Sequence, residues 1–177
     1  MEFNTSAQRV AELAKANQVE LMLDCIVELD LSDLLLNKQS VPADVFNWML
    51  RALEASKEEG NRCGFYIFEW FLTNHSKLGQ DAMNILKQFV ADNYGLYSDG
   101  PLLISMAEWI GSQQIDWSIS VIEKWLSSPL HERALDSLRL AFEQLEADAP
   151  QLPDGTYATL SKLKSAYDLK RASCLGY

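Results

Sequence analysis

The chain has 177 residues, 48% of them hydrophobic and 23% charged, with a formal net charge of -10. This is the balance of a globular protein and excludes a globally disordered chain. Eight glycines and five prolines are too few for a many-turned β-sandwich or barrel, and a surface this negative disfavours nucleic-acid backbones and anionic lipid heads.

Taken in order, the segments carry helical periodicity. In TSAQRVAELAKANQ, Val10, Leu13 and Ala14 follow i, i+3, i+4, and Thr5 with Gln8 has the form of a capping box. Asn17 with Glu20 repeats that form at the head of VELMLDCIVELD, so residues 1–38 are predicted to hold an N-terminal helix pair. DLSDLLLNKQSVP reads as a connection that can hold a turn of helix. Pro42 begins PADVFNWMLRALEASKEEG, where Val45, Trp48, Met49, Ala52 and Leu53 form one apolar face and Gly60 marks the stop. Asn61 is placed to cap RCGFYIFEWFLTNH, which is apolar almost all round and predicts a central buried helix, although CGFYIF alone also fits a strand. Gly79 precedes QDAMNILKQFVADNY. Pro101, at a first helical position, opens PLLISMAEWIGSQQ. Asp116 is read as the cap of WSISVIEKWLSS, and Ser128-Pro129 as the opening of LHERALDSLRLAFEQLEADA, which Pro150 and Pro153 close. Asp154 caps a last helix reaching about Ala172. The fold class expected is all-α: about nine helices in antiparallel pairs, in a single domain over 1–177, with helix pairs across 43–148 and a C-terminal helix at 154–173.

Four of these segments share a motif, VFNWML, IFEWFL, MAEWIG and IEKWLS, with a tryptophan between a polar and an apolar residue. Glu69-Trp70 and Glu108-Trp109 lie 39 residues apart. Helix starts recur at about the length of a two-helix HEAT or armadillo unit. Over residues 43–148 the chain therefore resembles a short HEAT-like α-solenoid. An irregular helical bundle is the alternative arrangement. The five tryptophans read first as fillers between helices, and one or two of them as partner anchors in the alternative reading.

Catalytic and metal chemistry find little purchase. Cys25, Cys63 and Cys174 are widely spaced and form no CxxC pair, so neither a disulfide framework nor a zinc site is expected. Cys25 and Cys63 read as small core residues. The two histidines, His75 and His131, belong to no ExxH or HExxH pattern; His75 is placed to cap a helix C-terminus and His131 to face solvent. GLYSDGPL has the glycine spacing of a phosphate loop, but Pro101 and Leu102 stand where lysine and serine or threonine are needed. No GxSxG occurs. No catalytic residue, metal ligand or cofactor is expected. The N-terminus lacks a secretory pattern, and no apolar run is long enough to span a bilayer. These features predict a soluble, cytoplasmic protein without membrane or nucleic-acid partners.

The charge pattern remains. Between Lys15 and Lys38 lie Glu20, Asp24, Glu28, Asp30 and Asp33 with no base; between Lys87 and Lys124 lie Asp92, Asp99, Glu108, Asp116 and Glu123, again with none. Glu20, Asp24 and Glu28 fall in a line on one helix face, where like charges repel by about 0.2–0.5 kcal/mol per pair. The second stretch contains DNYGLYSDG, read as a loop with Tyr94 and Tyr97 as rigid contact area. A base-free acidic surface gains value against lysines and arginines on another molecule, where it steers association and selects the partner. The candidate partner-binding residues are thus Glu20, Asp24, Glu28, Asp30, Asp33, Asp92, Tyr94, Tyr97 and Asp99. The only basic cluster, Lys162, Lys164, Lys170 and Arg171 in KLKSAYDLKR, reads as a solvated helix face. A small, acidic, all-helical chain without catalytic motifs resembles bacterial toxin-immunity proteins in character. That resemblance implies an inhibitor of a basic effector such as a nuclease; a scaffold or adaptor that grips a peptide is the alternative.

Overall fold

The computed structural model describes residues 3–32, 35 and 39–175. Among them it is all-α, with no strand and nine α-helices: α1 (Phe3–Lys15), α2 (Val19–Leu31), α3 (Ala43–Ala55), α4 (Cys63–Thr73), α5 (Gln80–Asn93), α6 (Gly100–Gly111), α7 (Ile115–Leu126), α8 (Glu132–Ala147) and α9 (Asp154–Leu175). Single 3-10 turns at His75–Lys77, Tyr94–Leu96 and Ala149–Gln151 tighten three of the connections. CGFYIF lies in α4 and is helical. None of the described helices is long and apolar enough to cross a membrane.

Contacts gather the chain into two compact units, Met1–Asn93 and Tyr94–Tyr177. The division falls at the end of α5, where no shift in composition marks it, and the stretch 43–148 read as helix-pair repeats straddles it. In the first unit α1 packs against both α2 and α3, and α4 packs on α2 and α3. The inward face of α1 is Ala7, Val10, Ala11 and Ala14, so small side chains let its neighbours approach closely. Val45, Phe46, Met49, Ala52 and Leu53 of α3 answer it, and Ile67, Phe68, Trp70 and Phe71 of α4 complete the core.

Two asparagines hold the joint between α1, α2 and α4. Asn17 was expected to cap α2; instead it takes the left-handed region, φ 52°, which asparagine tolerates better than most residues. Its side chain donates to the Gly60 carbonyl (3.2 Å) and accepts from the Arg62 N–H (3.0 Å), so it serves the opposite loop and leaves Gln18 at the head of α2 without a side-chain cap. Asn61, buried, donates to the Ala14 carbonyl (2.7 Å) and accepts from the Cys63 N–H (2.9 Å), which supplies a first-turn donor of α4 with its partner. Gly60, at φ 80°, turns the chain between α3 and α4, but α3 itself ends five residues earlier, at Ala55. The helix α1 already includes Thr5, so that residue stands within the helix and not at its cap.

The second unit is centred on α6 packed against α8, with α7 and α9 around them. Pro101 lies within the first two positions of α6, as the sequence suggests, with Asp99 as N-cap. Asp116 sits inside the first turn of α7 after Gln114, and α8 starts at Glu132 with the His131 ring accepting from the Arg133 N–H (3.2 Å). The helices α6 and α8 meet at Gly111. A Cβ there would fall 2.7 Å from the Ala141 carbonyl oxygen and 2.8 Å from Gln144 Cβ, so one methyl group must displace backbone. Gly111→Ala is accordingly expected to lower stability by about 1–3 kcal/mol. Urea denaturation checks this; an unchanged midpoint would mean that the crossing relaxes freely.

Three members of the basic cluster of α9 make contacts within this unit. Lys170 donates to the Leu126 and Ser128 carbonyls at the C-terminus of α7 (2.6 and 2.5 Å), Lys164 pairs with Asp168, and Arg171 pairs with Asp136 (2.8 Å).

Candidate functional site

The second helix buries Met22, Cys25, Ile26 and Leu29, the i, i+3, i+4, i+7 stripe that turns toward α1 and α4. The opposite side is open. Glu20, Asp24 and Glu28 are all exposed, and no cation lies within ion-pair distance of them among the described residues. Three large aliphatic residues share that side with them: Leu21 (51% exposed), Val27 (56%) and Leu31 (67%). At 3.6 residues per turn the six side chains occupy about a third of the helix circumference. The carboxylate line is thus only part of the solvent face, which is interleaved acid and aliphatic. A helical wheel drawn from VELMLDCIVELDL already places Leu21, Val27 and Leu31 on the carboxylate side; the signal was present, and the general apolarity of the stretch masked it. At its N-terminal end the face opens into a depression of about 460 Å³ bounded by Asn17, Glu20, Leu21 and Arg62.

The remaining acidic candidates have other surroundings. Asp30 points to the side of α2, where its Oδ1 accepts from the Trp70 indole N–H at 2.8 Å. Burial raises its carboxyl above the ordinary range, opposed by that hydrogen bond and by the Lys77 charge. It is therefore a half-buried link between α2 and α4 and is corrected out of the solvent face. Asp33 lies outside the described residues. Asp92, near the end of α5, is exposed and accepts from Gln88 (2.8 Å). Asp99 accepts from the Leu102 N–H at 3.4 Å as the N-cap of α6.

The two tyrosines are corrected most strongly. DNYGLYSDG is not an open loop but the end of α5, a 3-10 turn and the cap of α6. Tyr94 and Tyr97 are 0% and 1% exposed. The Tyr94 ring stacks on Trp125 (centroids 4.2 Å apart, 16° between planes) and its hydroxyl donates to the Ala134 carbonyl at 2.7 Å. Buried on all sides, this phenol is pushed far above its ordinary value and stays neutral. Neither ring is available to a partner at the surface.

The tryptophans divide. Trp70 and Trp125 are buried core, and Trp48, Trp109 and Trp117 are half-buried, Trp48 beneath the Arg51 guanidinium at 4.7 Å. His75 Nδ1 lies 2.9 Å from the Leu72 carbonyl at the end of α4, the C-terminal contact expected of it. Cys25 and Cys63 are buried and unpaired, and burial pushes the Cys63 thiol up to about 11, the opposite of an activated nucleophile. No group of three or more His, Cys, Asp or Glu side chains gathers as a metal ion requires, among the described residues.

Comparison of the chain with protein-family models, with curated proteins and with solved structures gives no match. The functional reading therefore rests on this geometry.

Proposed function

We propose that the chain is a non-catalytic protein-binding module whose docking surface is the outward face of α2. In this reading it acts as an inhibitor or immunity-type protein that neutralises a basic effector, such as a nuclease, in the cytoplasm. One observation carries the proposal: Glu20, Asp24 and Glu28 stand in line with no cation within ion-pair distance among the described residues, and they alternate with exposed Leu21, Val27 and Leu31. Exposed aliphatic side chains supply the apolar contact that holds a complex, and the carboxylates select a partner rich in lysine and arginine. A nuclease fits that description because its substrate channel must attract phosphate. The resemblance in character to immunity proteins points the same way.

The test is capture from a lysate of the native source, washed at low and at high salt. The E20K/D24K/E28K variant is expected to keep the helical circular dichroism of the parent, because all three side chains are exposed, and to retain at least tenfold less of a basic protein at low salt. The L21S/V27S variant is expected to lose capture at both salts. Equal capture by the parent and both variants would remove α2 from the interface.

A further inference from the structure

Three of the six arginines in this acidic chain, Arg133, Arg139 and Arg171, line one cleft in the second unit. The cleft, of about 340 Å³, lies where α6, α8 and α9 meet. Ile104 and Leu140 give it apolar walls, and Ser137 and Asp136 lie beside the arginines. Its size is at the lower end of small-molecule sites.

Each guanidinium is held by one contact and keeps donors in reserve, since an arginine carries five. Arg171 donates through Nε to Asp136 Oδ1 (2.8 Å), and Arg139 pairs with Glu143, its neighbour one turn on. Arg133 donates through Nη1 to the Ser98 carbonyl at 3.2 Å and has no carboxylate within ion-pair distance among the described residues. It also stands in the first turn of α8, the positive end of a helix, where a cation destabilises the helix and an anion stabilises it.

The helix that carries Arg171 also carries a buried tyrosine. Tyr167 is 1% exposed, and its hydroxyl has no hydrogen-bond partner among the described residues. A buried polar group without a partner is rare and asks for an explanation. Arg171, Asp136 and Arg139, all lining residues of the cleft, are among the charges that act on this hydroxyl, although Tyr167 does not itself line the cleft. Burial holds it protonated, as a donor.

We propose that this cleft binds a small organic oxyanion, a phosphate or a carboxylate, through Arg133, Arg139 and Arg171, with the ligand's apolar stem against Ile104 and Leu140. Arginine suits this task because its planar fork meets two oxygens of either headgroup at once. The site is independent of the α2 face and stands or falls apart from it.

Titration calorimetry on the full chain, at constant ionic strength set with sodium chloride, tests it with phenyl phosphate, benzoate and inorganic phosphate. Saturable binding of phenyl phosphate or benzoate is expected, tighter than that of inorganic phosphate because of the stem, and the stronger of the two identifies the headgroup. Arg133→Gln is expected to weaken that binding at least tenfold, and Arg133→Lys to restore part of it. The glutamine variant loses a single contact to Ser98, so its thermal midpoint is expected to stay near the parent's, and Arg139→Gln provides a second variant if it does not. No saturable heat with any probe, or binding undiminished in both glutamine variants, overturns the proposal.

Discussion

Replacing Tyr94 with alanine is expected to destabilise the second unit by about 3–5 kcal/mol, the range for deleting a buried aromatic side chain. The ring is fully buried, stacked on Trp125, and anchored by its hydroxyl to the Ala134 carbonyl. Alanine removes all three contributions and leaves a cavity beside Trp125. Tyr94→Phe keeps the ring and the stack and loses one hydrogen bond, so its expected loss is about 1 kcal/mol. Urea denaturation followed by tryptophan fluorescence reads both, with Trp125 as the local reporter. The pH dependence has a definite sign. The native phenol is held above its ordinary value of 10, so its contribution to stability is full below that value. It declines as the pH rises beyond 10, where the unfolded chain ionises and the native one does not. Tyr94→Phe is expected to flatten that alkaline decline, and Tyr167, also raised by burial, is expected to account for part of what remains. An alanine variant with an unchanged midpoint and weakened partner capture would return Tyr94 to the binding surface.

Asn61→Ala is expected to destabilise the first unit by about 2–3 kcal/mol. The buried amide spans two helices, donating to Ala14 at the end of α1 and accepting from Cys63 at the start of α4. The Ala14 carbonyl also accepts from the Asn17 N–H at 3.1 Å, so it keeps a partner in the variant. The Cys63 N–H loses its acceptor, and an unsatisfied buried donor costs about 1–3 kcal/mol. Asn61→Asp separates the two halves of the effect: it preserves an acceptor for Cys63 but sets a carboxylate against the Ala14 carbonyl. Hydrogen exchange is expected to quicken at Cys63 and in the first turn of α4 before it does elsewhere. A loss below about 0.5 kcal/mol for the alanine variant would show that the Asn61 amide contributes little to this joint.

Much of the architecture is legible from local pattern. The helical class, the breaks near Gly60 and Pro101, and the burial of α4 follow from periodicity, glycine and proline, because these act within a few residues of themselves. The capping residues are less legible. Asn17 has the composition of a cap and is drawn instead to the Gly60–Arg62 loop, 43 to 45 residues away, which no local pattern encodes. The candidate site divides in the same way. Glu20, Asp24 and Glu28 are exposed because the apolar stripe on the other side of α2 dictates which way the helix turns. Asp30, two residues past Glu28, faces Trp70, and that partner is 40 positions further on. Tyr94 and Tyr97 look like loop residues because glycine and aspartate surround them, yet the turn between α5 and α6 folds both rings inward.

The sequence by itself determined that this protein is helical, where most of its helices lie, and that its acids are segregated from its bases along α2. Those properties depend on the spacing of apolar residues and on short-range backbone preferences. Only the tertiary structure decided which polar and aromatic residues are surface and which are core, and that Arg133, Arg139 and Arg171 share a cleft. These follow from contacts between segments far apart in the chain: a hydrogen bond from α4 to Asp30, a ring stack from the α5–α6 turn to α7, and a meeting of α8 with α9. Side-chain burial is set by what packs opposite, and a one-dimensional pattern does not name the residue on the other side.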